Sequence, residues 1–301
     1  MGAVPQSFHV VDVFAEAPRE GNPLAIVLGA RDLATEAMQS IAREFGFSET
    51  TFVVSEPSAA EAGVRVRIFT PSEELPFAGH PTLGTAFVIR ERLAPGRPAA
   101  VALELGVGRV PVRFEPEEAG AAGGEIAWLD APAVELGRRV DSSRIAPVLG
   151  LAAADFDPEL PVQHVSAGVD FVFAPLRSLA ALRRARLDLD AFAPLAREGL
   201  PAKLYFFCRE TLAPENDLHV RFLFSSPSVR EDPATGSAAA CLGAYLLAHR
   251  PPRGCELALR LEQGHGIGRP SLLRLRAAAS GGRTRVSVGG RVIEVARGEL
   301  L

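Results

Sequence analysis

The sequence predicts an α+β protein made of two similar halves, on three observations. Apolar, β-branched runs of strand length recur from end to end, one turn-to-helix pattern occurs twice, and the helix that follows each copy is apolar on most faces. The length of 301 residues exceeds the usual span of one domain and suits two halves of roughly 150 residues, each able to bury its own core. The halves are expected as residues 1–120 and 121–301, joined through the acidic, Gly/Ala-rich stretch 115–125, with the last strand available to pack back on the first half.

The first half opens on the strand-like run FHVVDVF, a turn at Gly21-Asn22-Pro23 and a second apolar run from Leu24 to Leu28. Asp32 offers a cap for a helix over 33–45, whose apolar positions Leu33, Ala37, Met38, Ile41, Ala42 and Phe45 keep the 3.6-residue period, and Gly46 suits its stop. The β-branched stretch Ser48 to Val54 and the alternating Val64-Arg65-Val66-Arg67-Ile68-Phe69 both read as strands, so Glu49 stands at the mouth of one. Further strands are expected at 126–129, 162–165, 169–173, 203–208, 218–224 and 284–288, with helical composition over 179–195.

The repeated pattern is Pro-x-x-Gly-[Thr/Ser]-Ala. It occurs in Ala78-Gly79-His80-Pro81-Thr82-Leu83-Gly84-Thr85-Ala86 and again in Glu231-Asp232-Pro233-Ala234-Thr235-Gly236-Ser237-Ala238. Aligning the prolines sets His80 opposite Asp232 and Thr85 opposite Ser237, as in a diverged duplication. Each copy reads as a strand, a turn rich in Pro, Gly and hydroxyl residues, and then a helix. The second helix, Ala238 to Leu247, has almost no polar stripe, the mark of a helix surrounded by protein, and strands wrapped around a central helix fit best. The N-terminus of such a helix carries unpaired N–H groups and the positive end of its dipole, a preformed place for a carboxylate.

Composition narrows the function. A hydrophobic content of 48% with 23% charged residues is that of a globular chain, no apolar run approaches the ~20 residues of a membrane span, and a net charge of −4 gives no basic footprint for nucleic acid. The N-terminus lacks the basic and apolar regions of a signal peptide, so a cytoplasmic location is expected. Cys208, Cys241 and Cys255 have neither the spacing nor the even count of a zinc site or disulfide framework, and no metal is expected. Lys203 is the only lysine and lies on an apolar strand-like run, which disfavours phosphate-loop and Schiff-base chemistry. Gly264-x-Gly266-x-Gly268 lacks the spacing and context of a dinucleotide fingerprint.

Several of these residues have plain structural roles open to them. His80 before Pro81 suits a capping or packing residue, and Asp232 before Pro233 suits an N-cap. Ser237 can satisfy a first-turn group, while Gly79, Gly84 and Gly236 permit tight turns and close packing. The same glycines would also admit a substrate. His164, His219, His249 and His265 lack metal-ligand spacing and read as structural or exposed.

In chain order, Asp12-Val13-Phe14, Gly21-Asn22-Pro23-Leu24-Ala25, Ser48-Glu49-Thr50-Thr51-Phe52-Val53, Phe69-Thr70-Pro71 with Glu74-Leu75-Pro76-Phe77-Ala78-Gly79-His80-Pro81-Thr82, Glu231 to Ala238, and Gly268-Arg269-Pro270-Ser271 resemble the phenazine-biosynthesis PhzF-like family along nearly the whole chain. The resemblance implies two similar domains of the diaminopimelate epimerase type, each a strand barrel around a central helix. It also implies an active site between the domains, a homodimer and no cofactor. By the same resemblance Glu49 is the acid/base glutamate, supported by His80, Asp232 and Ser237. The turn residues Gly79, Gly84, Thr85 and Gly236 are expected at the substrate. The implied reaction is proton-transfer isomerisation of a small carboxylate-bearing substrate of the dihydro-hydroxyanthranilate kind. A glutamate in this role is expected to have a pKa raised toward neutrality by desolvation. The segment 224–230 departs from the family's usual wording.

Two alternatives stand beside this one. An amino-acid racemase or epimerase on the same fold would place cysteine thiolates at the two helix starts, where this chain has Ala78 and Asp232. A non-catalytic small-molecule-binding relative would have no need of Glu49, His80, Asp232 and Ser237 together.

Overall fold

The structure is a computed structural model that describes residues 6–55, 63–117, 124–225, 228–250 and 256–301. Residues 118–123 of the expected connection, Ser226 and Pro227 of the variant segment, and Cys255 lie outside the described residues. The chain forms two compact units, Met1–Asp130 with Gly289–Leu301, and Ala131–Val288.

In the first unit β1 (Gln6–Val13) pairs antiparallel with β2 (Asn22–Val27) on one side and with β18 (Val292–Leu300), the last strand of the chain, on the other. From β2 the sheet continues through a parallel step to β3 (Thr50–Val53), then antiparallel to β4 (Val64–Phe69), which carries the short β5 (Glu74–Leu75). A second parallel step leads to β6 (Ala100–Leu105), followed by antiparallel β7 (Gly108–Pro116) and β8 (Glu125–Asp130).

Helix α1 (Thr35–Phe45) covers one face of this sheet, and α2 (Gly79–Val88) touches β1, β2, β3, β6, β7, β8 and β18. Strand β2 is apolar on both sides because it lies between the two helices. Leu24 faces Gly84 of α2, and Val27 belongs to the cluster of Met38, Ala42, Phe52 and Phe69 under α1. The stop of α1 at Gly46 is as expected: φ is 66° and its N–H reaches the Ala42 carbonyl. Its start is not. Residues Ala30–Asp32 form a separate 3-10 turn, so Asp32 caps nothing, and the helix begins two residues later behind Ala34.

The second unit repeats the connectivity. Antiparallel β9 (Glu135–Val140), β10 (Val162–Ser166) and β11 (Asp170–Pro175) lead by a parallel step to β12 (Lys203–Cys208) and then antiparallel to β13 (Leu218–Ser225), which carries the short β14 (Val229–Glu231). A parallel step from β13 reaches β15 (Glu256–Gln263) and its antiparallel partner β16 (Ser271–Ser280). Strand β17 (Arg283–Gly290) follows through Gly281-Gly282, both at positive φ, the signature of a two-residue hairpin turn. Helix α6 (Gly236–His249) stands between β14 and β15, as α2 stands between β5 and β6, and is buried from Ala238 to Leu247. The duplication that the sequence suggested is therefore a duplication of topology, strand for strand, and the predicted α+β class with a helix among strands holds in each unit.

Three short helices cover the outer face of the second sheet: α3 (Ser142–Ile145), α4 (Leu179–Arg184) and α5 (Leu189–Arg197). The helical stretch expected over 179–195 is thus two helices. Ser178 caps the first and Asp188 the second, and between them the N–H groups of Arg186 and Asp188 turn to the carbonyls of Leu149 and Val148. Among the described residues no helix is long and apolar enough to cross a membrane.

Candidate active site

Glu49 is the residue immediately before β3, and the parallel register of Thr50 with Ala25 fixes where that strand begins. Gly21, ahead of β2, has a φ of 67°, and a Cβ there would lie only 2.3 Å from the Val13 carbonyl oxygen, so no other residue fits. Two residues past Glu49, the hydroxyl of Thr51 meets that of Thr85 at 2.7 Å, both fully buried. This bond ties the start of β3 to the middle of α2.

At the other end of α2, the first turn brings His80 to Glu49. Nε2 of His80 lies 3.5 Å from Oε2 of Glu49, with side-chain exposures of 7% and 17%. Burial pushes the imidazole down to about 3, so it is neutral at physiological pH. Ala78, the N-cap residue, has no side chain able to close the helix, which leaves the first N–H groups of Gly79 and His80 at its open end. Gly84 sits deeper in the helix, where an added Cβ would meet Leu24 at 2.7 Å, Val13 at 2.9 Å and Val11 at 3.0 Å.

In the second unit Asp232 is not the N-cap of α6. That place belongs to Thr235, and Asp232 lies in the turn before it, where its carboxylate accepts the Thr235 hydroxyl at 2.6 Å. The two prolines of the repeat accordingly occupy different places: Pro81 is within the first turn of α2, whereas Pro233 precedes α6 altogether. Gly236 and Ser237 are the first two residues of α6, and Thr235 makes no side-chain cap, so this helix end also presents backbone donors.

Gln263, fully buried at the end of β15, holds the turn. Its amide nitrogen donates to the Asp232 carbonyl and to the Thr235 hydroxyl oxygen, both at 2.9 Å, and its oxygen accepts the Thr235 N–H at 3.1 Å. Next to it Gly264 is in the left-handed region at φ 76°, and a Cβ there would strike the carbonyls of Arg269 and Pro233. The motif 268–271 and the motif 231–238 are therefore one assembly. Sequence reasoning did not single out Thr51, Thr235 or Gln263. The two threonines were inside quoted motifs, but nothing in the sequence announces that Gln263 ends beside Thr235.

The remaining nucleophile candidates are quiet. Burial pushes the thiols of Cys208 and Cys241 up to about 12. His164, His219 and His249 are engaged with Asp170, Glu262 and Gln163 at 3.1, 2.8 and 2.6 Å.

Known proteins place this assembly in a family. Residues 11–298 match the family described as phenazine biosynthesis-like protein. The chain is 38% identical to an uncharacterized isomerase of Mesorhizobium japonicum, over 98% of each chain. It is 34% identical to the trans-2,3-dihydro-3-hydroxyanthranilate isomerase of Pseudomonas chlororaphis, over 98% of this chain and 99% of that one. The crystal structure of a PhzF-family phenazine biosynthesis protein from Bacillus anthracis superposes with a TM-score of 0.88 at 28% identity, over 99% and 100% of the two chains. With a family match across nearly all its length and relatives named as isomerases, the chain belongs to the phenazine biosynthesis-like protein family and is an isomerase.

Proposed function

We propose that the protein isomerises a small carboxylate-bearing substrate by moving a proton between carbons, with Glu49 as the group that removes and returns it. The observation that carries this reading is the placement of the Glu49 carboxylate 3.5 Å from a buried imidazole held neutral by its surroundings. A neutral imidazole takes no share of the carboxylate's charge, as an imidazolium would, and leaves Glu49 a base with a polar neighbour to steady its orientation. The Thr51–Thr85 bond supports the same geometry from the strand side.

In this reading Gly79 at the open end of α2 supplies an N–H donor to an anionic group of the substrate. Gly236 and Ser237 at the open end of α6, and Asp232, which Thr235 and Gln263 orient, are candidate substrate contacts in their own unit. Protonated, buried thiols at Cys208 and Cys241 agree with a single-glutamate route rather than a pair of thiolates. The named activity of the P. chlororaphis relative makes trans-2,3-dihydro-3-hydroxyanthranilate the first substrate to try.

The test is incubation of that compound, and of other cyclic amino and hydroxy acids, with the protein in heavy water, followed by NMR. Wild-type protein is expected to convert one of them with deuterium entering at carbon, and Glu49→Gln to lose conversion and exchange by about 1,000-fold or more. Exchange by Glu49→Gln at the wild-type rate would remove Glu49 from the mechanism.

A further inference from the structure

The second unit contains a cavity of about 520 Å³ on the opposite side of β13 from α6. Side chains alternate along this strand. Phe222 points inward to Phe171 and Tyr205, and Phe173 beside Tyr205 packs on Tyr245 of α6. Arg221 points outward, over the Phe206 ring of the outer cluster, and donates to the carbonyls of Leu182 and Ala185 at the end of α4. The adjacent acids divide in the same way. Asp232 turns to Thr235, whereas Glu231 turns to Arg221, which grips it at 3.0 and 2.8 Å.

Those bonds use up the charge of Arg221 and Glu231 on each other. Glu262, behind the cavity wall, is likewise filled by the N–H groups of Leu212 and Ala213, the Asn216 amide and His219. Three further guanidinium groups line the space, from Arg183, Arg186 and Arg230. All three are exposed, and among the described residues none is paired with a carboxylate. Arg186 is oriented all the same, donating to the carbonyls of Arg183 and Ala185 at 2.8 Å. The wall also holds His265, whose ring sits 5.3 Å from that of His219 and whose buried Nδ1 has no hydrogen-bond partner among the described residues.

Three like charges lining one concavity repel each other, and an anion relieves that repulsion. A single carboxylate would neutralise only one guanidinium, whereas a phosphoryl group carries about two charges and three acceptor oxygens, which suits several guanidinium forks at once. The volume is that of a metabolite site. We propose that this cavity binds a phosphate-bearing small molecule, at a site separate from Glu49, Asp232 and Ser237.

Calorimetric titration with inorganic pyrophosphate at pH 7, with sodium chloride matched for ionic strength, tests it. Saturable binding of one equivalent per chain is expected. Arg183→Gln and Arg230→Gln should each weaken it about tenfold, and Arg183→Lys, which keeps charge but not the fork, should fall between. Glu49→Gln should bind as wild type does. Both arginines are exposed, so their variants should unfold at the wild-type temperature, and a thermal scan checks this. Absence of saturable binding, or equal affinity in wild type, Arg183→Gln and Arg230→Gln, would overturn the proposal.

Discussion

At Gly84 the wall formed by Val11, Val13 and Leu24 leaves room for a hydrogen and little else. Gly84→Ala would gain about 1 kcal/mol of helix propensity but must push a buried leucine and two stiff valines aside, which costs more. Net destabilisation of about 1 to 2 kcal/mol is expected in a urea titration, and equal or greater stability would contradict the packing described. The sequence allowed Gly84 either packing or substrate contact, and the contacts that bear on it come from β1 and β2, far away in the chain. Glu49 shows the same limit from the other side. Its position at a strand mouth was readable from the β-branched residues that follow, but its partner His80 was reached only through the family's motifs, because the 30 intervening residues carry no trace of the contact. Asp232 was misplaced as an N-cap because Asp-Pro is a common helix opening, and here three more residues of turn, pinned by Gln263, precede the helix.

Elements with an apolar period were legible, and elements whose partners decide their conformation were not. Strands β4 and β12 fall on the expected residues, since one alternates from Val64 to Ile68 and the other is an unbroken apolar run after Lys203. Strand β9 is exposed at five of its six residues and β7 contains Pro111, so neither carries a strand signal of its own, and pairing with β10, β6 and β8 makes them strands. The turn before α6 is the element most dependent on a single remote side chain. Gln263→Leu conserves volume while leaving the Thr235 N–H and the Asp232 carbonyl without their partner. A loss of about 3 kcal/mol in stability is expected from chemical denaturation, with isomerase turnover reduced beyond what the remaining folded fraction explains. A variant as stable and as active as wild type would show that the turn holds itself.

For the whole molecule, acid is the sensitive direction. His80 has a folded pKa near 3 against an unfolded value of 6.5, because burial disfavours the imidazolium. Its neutral state supports folding fully above pH 6.5, and the support drains away as pH falls toward 3, where the unfolded chain takes up a proton that the folded one refuses. Glu262 acts in the same sense. Burial alone would raise its pKa, but the Leu212 N–H, the Asn216 amide, the Ala213 N–H and His219 together hold it below its ordinary value, so its contribution is lost on acidification through and below the usual carboxylate range. Between pH 6.5 and 4 the His80 contribution amounts to about 3 kcal/mol. Urea midpoints measured across that interval should fall, and His80→Gln should show a shallower fall than wild type. Parallel curves for the two proteins would mean that His80 keeps its unfolded pKa in the folded state.

The pairing of β1 with β18 joins the sixth residue of the chain to the three-hundredth. During synthesis, every strand of the second unit has been made before Val292, so that unit can close while the first still lacks an edge. Until the final strand emerges, β1 exposes a row of free backbone groups and must be kept from other chains for nearly the whole time of translation. The half of the protein that is made first is the half that is finished last.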